Sequence, residues 1–367
     1  MSGGRLDVIS VAGARPNFMK VAPLARALED YEGVRHRLVH TGQHYDRNMS
    51  ELFFDELGIP RPWRNLEVGS SSHAVQTAEI MVRFDAILAE DPPDVVVVVG
   101  DVNSTIACSL AAVKRGIPVA HVEAGLRSFD RSMPEEVNRI LTDAIADVLF
   151  VTEPSGLENL RREGVDDERV FLTGNVMIDT LLQAREKARR SDILERLGLE
   201  ERAYGVVTLH RPSNVDDPAV LSGILEALAD VGARLPLVFP VHPRTRSRVE
   251  KLGGPSRTGL ILTDPLGYID FLRLMESARL ILSDSGGIQE ESCILGVPCL
   301  TLRDNTERPV TVETGLNRLV GSKPAAIRRA AFDLLESDAP PPEVPDLWDG
   351  RAAVRIAGIL WDRYAHD

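Results

Sequence analysis

The sequence predicts an α/β protein made of two Rossmann-like, doubly wound domains in tandem, and three observations carry that reading. Short β-branched runs alternate with helix-spaced segments along the whole chain. The run Val95 to Val99 is pure valine without alternation, as expected of a strand covered on both faces in a parallel sheet. The alternation stops at a charged stretch, Arg189 to Arg202, and then restarts. At 367 residues the chain exceeds one ordinary domain, and two domains of about 170 to 190 residues are expected.

The first set of strands is read at Asp7 to Val11, Arg37 to His40, Asp94 to Val99, Pro118 to Val122, Val148 to Val151 and Val170 to Leu172. Helical spacing fills the gaps at Phe18 to Asp30, His73 to Glu90, Asn103 to Arg115, Pro134 to Ala146 and Ser155 to Gly164. After a helix from Val176 to Arg190, the charged stretch carries no strand signal and is the best linker candidate. The second set follows at Gly205 to Leu209, Leu237 to Val241, Leu260 to Leu262, Arg279 to Leu282, Pro298 to Leu302 and Arg318 to Val320. Gly350 to Tyr364 closes the chain as an amphipathic helix.

A net charge of −13 argues against binding nucleic acid or an anionic membrane through bulk electrostatics, and points to a small-molecule partner in a local pocket. Cys108, Cys293 and Cys299 lie in apolar or small-residue surroundings without CxxC pairing, which fits buried thiols rather than disulfides or a zinc site. No basic leader segment opens the chain and no apolar run approaches a membrane span, so a soluble cytoplasmic protein is expected. HExxH, GxSxG and GxxxxGK[ST] are absent, and no GxGxxG follows the first strand. Neither a metal nor a nicotinamide or flavin cofactor is expected.

Parallel sheets place ligands at the carboxyl ends of their strands, and polar residues gather there. Ser283-Asp284-Ser285-Gly286-Gly287 joins a strand to a helix running to Leu295; adjacent glycines let a ligand approach the backbone, and a helix N-terminus favours an anion such as phosphate. A plain tight turn is the competing reading. Glu291 lies one turn into that helix, within reach of sugar hydroxyls. Arg15, Lys20, His210, Arg211 and His242 supply cationic or hydrogen-bonding groups suited to a diphosphate, although Arg15 and Lys20 also read as solvated helix-start residues. Asp101, Glu123 and Glu135 are the acid/base candidates, Asp101 and Glu123 because they end neighbouring strands. Against this, Ser132-Met133-Pro134-Glu135 has a capping-box pattern, and Asp101 is placed to cap the helix from Asn103.

An ordered set of motifs from Gly13 to about Val320 resembles the non-hydrolysing UDP-N-acetylglucosamine 2-epimerase family. It comprises Gly13-Ala14-Arg15-Pro16 with Lys20, Gly100-Asp101, His121 to Arg127, Pro134 to Arg139, Thr173-Gly174-Asn175, Thr208 to Arg211, Asp284 to Glu291 and Thr306 to Pro309. The resemblance implies a GT-B fold with an interdomain active-site cleft: a first domain, residues 1–172, completed by a C-terminal helix, 354–367, and a UDP-binding domain, residues 173–353. It implies a homodimer in the cytoplasm, needing no cofactor, that interconverts UDP-N-acetylglucosamine and UDP-N-acetylmannosamine for surface polysaccharide synthesis. By similarity Asp101, Glu123 and Glu135 match the acid/base positions and His210 the residue near the leaving diphosphate. Similarity also places Arg15, Ser285, Gly286 and Gly287 on phosphate, Glu291 on ribose, Phe271 near uracil, and Lys20 and Arg308 close to the substrate.

The sugar C2 proton is not beside a carbonyl, so simple deprotonation is unavailable; elimination of UDP to a 2-acetamidoglucal and re-addition is the simpler route without a redox cofactor. Asn17 stands where many members carry Glu, and His210-Arg211-Pro212-Ser213-Asn214 replaces a more usual His-Arg-Arg-Glu. These departures keep a related substrate, UDP-2,3-diacetamido-2,3-dideoxyglucuronate, in view. A GT-B glycosyltransferase and a silent UDP-sugar-binding regulator are the competing classes. Gln43, Glu135, Arg211 and His242 match a second, activating UDP-N-acetylglucosamine site of some members, but Asp46 replaces a Gln and Ser70-Ser71-Ser72 offers no Arg. Weak or absent activation is expected.

Overall fold

The structure is a computed structural model describing residues 4–42, 56–241, 243–252, 259–337 and 343–366, without the side chains of Arg15, Pro243 and Arg244. It divides into two compact units, Met1–Gln183 with Asp346–Asp367, and Ala184–Pro345.

The first unit carries strands β1 (Leu6–Ala12), β2 (Val34–His40), β3 (Arg64–Asn65), β4 (Val95–Val99), β5 (Val119–Ala124), β6 (Val148–Val151) and β7 (Val170–Leu172). Its helices are α1 (Arg15–Glu29), α2 (His73–Glu90), α3 (Asn103–Lys114), α4 (Pro134–Ile145), α5 (Pro154–Arg162) and α6 (Val176–Ala188), the last running on past this unit's boundary. All pairings are parallel, in the order β3-β2-β1-β4-β5-β6-β7. The valines of β4 are fully buried at the centre, as their lack of alternation predicts. Two-residue β3 is too short and too charged to leave a periodic signal.

The second unit repeats the plan with α7 (Ile193–Leu197), β8 (Gly205–Thr208), α8 (Pro212–Val215), α9 (Pro218–Gly232), β9 (Leu237–Pro240), α10 (Pro243–Lys251), β10 (Leu260–Thr263), α11 (Tyr268–Glu276), β11 (Leu280–Ser283), α12 (Gly286–Leu295), β12 (Cys299–Thr301), α13 (Pro309–Glu313), β13 (Asn317–Leu319) and α14 (Pro324–Glu336). Its parallel sheet runs β10-β9-β8-β11-β12-β13. The expected linker stretch contains α7, because Ile193 and Leu194 bury one face and Gly198, in the left-handed conformation, ends the turn.

Both sheets reverse direction of strand addition once, between β1 and β4 and between β8 and β11. A doubly wound sheet opens a crevice at such a switch point, beyond the carboxyl ends of the two strands. Gly13 and Gly100-Asp101 flank it in the first unit; Leu209-His210 and Asp284-Ser285 flank it in the second.

The last helix, α15 (Ala352–Tyr364), packs on α1. Asp179 of α6 caps it, accepting from the amides of Ala352 (3.1 Å) and Ala353 (2.7 Å). Trp348, fully buried, donates its indole N–H to the Thr152 carbonyl at 2.9 Å.

Burial raises the Asp179 carboxyl to about 6, against its two amide donors. A carboxyl with a higher pKa folded than unfolded binds its proton more tightly in the native state, so its stability contribution is lost as pH rises from about 4 to about 6. Urea denaturation across that window should show this downward component in the wild type and lack it in Asp179→Asn; identical pH dependence of the two proteins would contradict it.

Candidate functional site

In the first unit the turn after β1 is tied to the end of β4. Asn17 accepts from the amides of Gly13 (3.1 Å) and Ala14 (2.8 Å), and its amide nitrogen donates to the Val99 carbonyl at 3.0 Å. A carboxylate has no such donor, so the departure at Asn17 has a local structural use. Gly13 packs onto the Ser104 hydroxyl with no room for a Cβ, and Ser104 is hydrogen-bonded to Thr41 at 2.7 Å. Arg15 begins α1 beside this turn.

Glu123 is the extra residue of a β-bulge where the β5–β6 register shifts between Val122 and Ala124, and its φ is 73°. Bulges re-aim side chains, and a left-handed glutamate persists only where its surroundings enforce it. Its Oε2 meets Lys20 Nζ at 2.5 Å, with both side chains buried. Its Oε1 is buried without a hydrogen-bond partner among the described residues. The pair lies against Gly100, whose φ is 67° and where a Cβ would come within 2.9 Å of Lys20 Nζ and 3.6 Å of Glu123 Oε2. Lys20 is therefore not a solvated helix-start residue.

Asp101 follows Gly100. Its carboxylate pairs with Arg139 at 2.5 Å and its carbonyl accepts from the Asn138 amide at 2.9 Å. The N-cap of α3 is Val102, not Asp101. Glu135 sits half-buried in the first turn of α4, three and four residues before Asn138 and Arg139 and thus on the face turned to Asp101. Nor is there a capping box: Met133 is the N-cap, and the Ser132 hydroxyl donates to Asp130 at 2.6 Å.

In the second unit the organising group is Asp284, fully buried after β11. It accepts from the backbone amides of His210 (3.1 Å) and Arg211 (3.0 Å), from the Asn214 amide (3.1 Å), and pairs with His210 Nδ1 at 2.8 Å. Burial would raise its pKa, but the His210 contact and the amide donors outweigh burial and hold it below the usual value. With Nδ1 turned to Asp284, the exposed His210 ring presents Nε2 outward.

Ser285 is the N-cap of α12 without using its side chain, so Gly286 and Gly287 open the helix with first-turn amides. The Arg308 guanidinium lies over Gly286, where a Cβ would be 2.6 Å from one of its nitrogens. Arg308 is anchored by Glu290 at 2.8 Å and lies 3.4 Å from Glu307, which also pairs with Arg303 at 2.6 Å and Arg211 at 3.2 Å. Further along α12, Glu291 accepts from the Tyr268 hydroxyl at 2.9 Å; burial and then the neighbouring carboxylate raise that phenol well above its usual pKa. Half-buried Phe271 lies one turn beyond Tyr268 on α11.

The first unit therefore gathers Lys20, Asp101, Glu123 and Glu135, and the second gathers His210, Arg211, Ser285, Gly286, Gly287, Glu291, Arg308 and, on α11, Phe271. Gln43 and His242 lie outside the described residues. Sequence reasoning did not single out the supporting groups Asn17, Arg139, Glu290 and Glu307 as parts of the site. Asp284 stood inside a quoted motif, yet no spacing rule marks it as the acceptor of His210.

A family model described as UDP-N-acetylglucosamine 2-epimerase matches residues 26–361. The chain belongs to the UDP-N-acetylglucosamine 2-epimerase family. It is 43% identical over 334 residues to the UDP-N-acetylglucosamine 2-epimerase of Methanocaldococcus jannaschii, covering 89% of this chain and 91% of that one. It is 40% identical over 321 residues to the UDP-2,3-diacetamido-2,3-dideoxy-D-glucuronate 2-epimerase of Pseudomonas aeruginosa, covering 86% and 89%. A crystal structure of the Methanocaldococcus enzyme in complex with UDP-GlcNAc and UDP superposes with a TM-score of 0.90 at 41% identity, covering 97% of this chain and 99% of that one. The kitacinnamycin glycotransferase shares the fold alone, with a TM-score of 0.58, 16% identity and full coverage of both chains. These likenesses and the two parallel sheets bear out the expected α/β class with Rossmann-like units of GT-B type.

Removing one partner of a buried ion pair leaves an uncompensated charge. Lys20→Ala should destabilise the first unit by about 3 kcal/mol, whereas Lys20→Met with Glu123→Gln should recover most of the loss. Urea unfolding followed by tryptophan fluorescence checks this, and equal stability of Lys20→Ala and wild type would overturn it.

Proposed function

We propose that the protein interconverts UDP-N-acetylglucosamine and UDP-N-acetylmannosamine by eliminating and re-adding UDP. The observation that carries the reading is the buried Glu123 with one oxygen on Lys20 and the other unpartnered among the described residues, beside Gly100-Asp101, in a chain of this family. A carboxylate so held is ready to accept or return a proton.

In the forward direction a carboxylate takes the C2 proton, and the C2–H electrons become the C1=C2 double bond as the C1–O bond breaks and its pair leaves with UDP. A proton then adds to C2 from the other face, and the UDP oxygen re-forms its bond to C1. Asp101, Glu123 and Glu135 supply the acid and base. Arg139 on Asp101 and Lys20 on Glu123 give the carboxylates different surroundings, which is how two acids in one site acquire different roles. Ser285, Gly286 and Gly287 with Arg308 and Arg15 bind the diphosphate, and His210 donates to the leaving UDP through Nε2. Glu291 receives the ribose hydroxyls, Phe271 lies near uracil, and Lys20 also stands close to the substrate.

The 2,3-diacetamido-glucuronate substrate is a second reading, favoured by the likeness to the Pseudomonas enzyme. A cytoplasmic homodimer is part of the proposal; exposed Val75 and Val82 on α2 and Leu141 on α4 offer apolar surface for a second copy. No helix among the described residues is long and apolar enough to cross a membrane. Weak or absent activation by UDP-N-acetylglucosamine is part of the proposal, so turnover of UDP-N-acetylmannosamine should be hyperbolic. A sigmoidal curve straightened by a trace of UDP-N-acetylglucosamine would contradict that.

The deciding experiment is incubation with each UDP-sugar in D2O with NMR at C2. Deuterium should enter C2 of UDP-N-acetylglucosamine as the manno epimer forms. Exchange only with the glucuronate would select the second reading, and transfer to an acceptor would indicate a glycosyltransferase. Asp101→Asn should slow exchange by about 100-fold or more with UDP affinity unchanged; unaltered turnover would remove Asp101 from the mechanism.

A further inference from the structure

A polar chain with no direct place in that chemistry runs through the core of the first unit. His121, on β5 and wholly buried, has Nδ1 2.7 Å from Asp143 Oδ1 and Nε2 2.8 Å from the Gly100 carbonyl. Asp143 Oδ2 accepts from the Gly125 amide at 3.0 Å and pairs with Arg127 at 2.7 Å. Arg127 reaches outward to Glu163 at 2.6 Å. Burial would raise the Asp143 carboxyl, but His121 and Arg127 hold it below its usual range, so it is an acceptor at both oxygens. With an acceptor facing each ring nitrogen, both contacts form only if both nitrogens of His121 carry hydrogen.

The two backbone groups at the ends of this chain flank the proposed acid/base residues. Gly100 precedes Asp101, and Gly125 lies two residues beyond Glu123, after the bulge. The ladder bond from the Gly100 N–H to the Val122 carbonyl, at 3.0 Å, stops one residue short of Glu123. We propose that His121 and Asp143 are positioning residues for the C2 proton transfers, holding the strand ends that carry Asp101 and Glu123 in fixed relation through the Gly100 carbonyl and the Gly125 amide. The inference rests on the epimerase reading. It concerns geometry at the acid/base pair and not UDP binding, whose proposed groups, apart from Arg15, belong to the second unit.

Two substitutions separate positioning from mere filling of the core. The side-chain amide nitrogen of glutamine overlays imidazole Nε2 and keeps the donor to Gly100, whereas that of asparagine overlays Nδ1 and keeps only the donor to Asp143. His121→Asn should lower kcat for C2 exchange by about 100-fold, as expected for a displaced reacting group. Its KM and UDP affinity should stay within about twofold of wild type. His121→Gln, which loses the Asp143 contact instead, should lower kcat to a similar extent with KM and UDP affinity likewise retained. Wild-type kcat in either folded variant, or a loss confined to KM, would overturn the proposal. If neither variant folds, Asp143→Asn decides: its single carbonyl oxygen cannot accept from both His121 and Gly125, so kcat should fall with KM retained, and an unchanged kcat overturns the assignment. A wild type without C2 exchange would instead sink the epimerase reading itself.

Discussion

A carboxylate removed from water has to be paired or held by hydrogen bonds, and the pairing of Glu123 with Lys20 is the contact on which the chemistry proposed for the first unit depends. It explains why Lys20 is buried on α1 and why Gly100 must be glycine where the two side chains pass. It also explains why the β5–β6 ladder gives up one residue of register at Glu123. The cost of a left-handed glutamate and a buried charge pair is of the order of a few kcal/mol, offset by the valine-rich core on both faces of the sheet.

The second unit solves the same problem differently. Asp284 is just as buried but is satisfied by backbone and side-chain donors, so it works as an anchor and leaves His210 as the exposed group. Asp143 is the first unit's counterpart of that anchor. In both units a buried aspartate accepts from a backbone amide beside a strand end and meets a histidine nitrogen. Fully covered parallel strands leave no other place for polar work than their carboxyl ends.

Much of this was legible before any coordinates. Period and composition placed nearly every strand, because unalternating runs such as Val95 to Val99 admit few readings, and the strand-end rule picked out Asp101, Glu123 and His210. What stayed hidden has physical causes. The bulge at Glu123 depends on the neighbouring strand, which local pattern does not report. The capping-box reading of Glu135 failed because α4 begins one residue later than the pattern supposes, with Met133 rather than Ser132 as its N-cap. Partners distant in sequence, such as Lys20 with Glu123 or His210 with Asp284, leave no spacing signal at all.

The discontinuity of the first unit bears on how the protein is made. Trp348 and α15 belong to that unit, bonded to Thr152 and Asp179, while every residue of the second unit lies between them and the rest of their fold. During synthesis the second unit is complete while the first still lacks its closing helix and the donors that satisfy Asp179. A prematurely ended chain therefore keeps the second unit whole and leaves the first open. On the roles proposed for the two units, such truncations would be poor catalysts before they were poor binders of UDP.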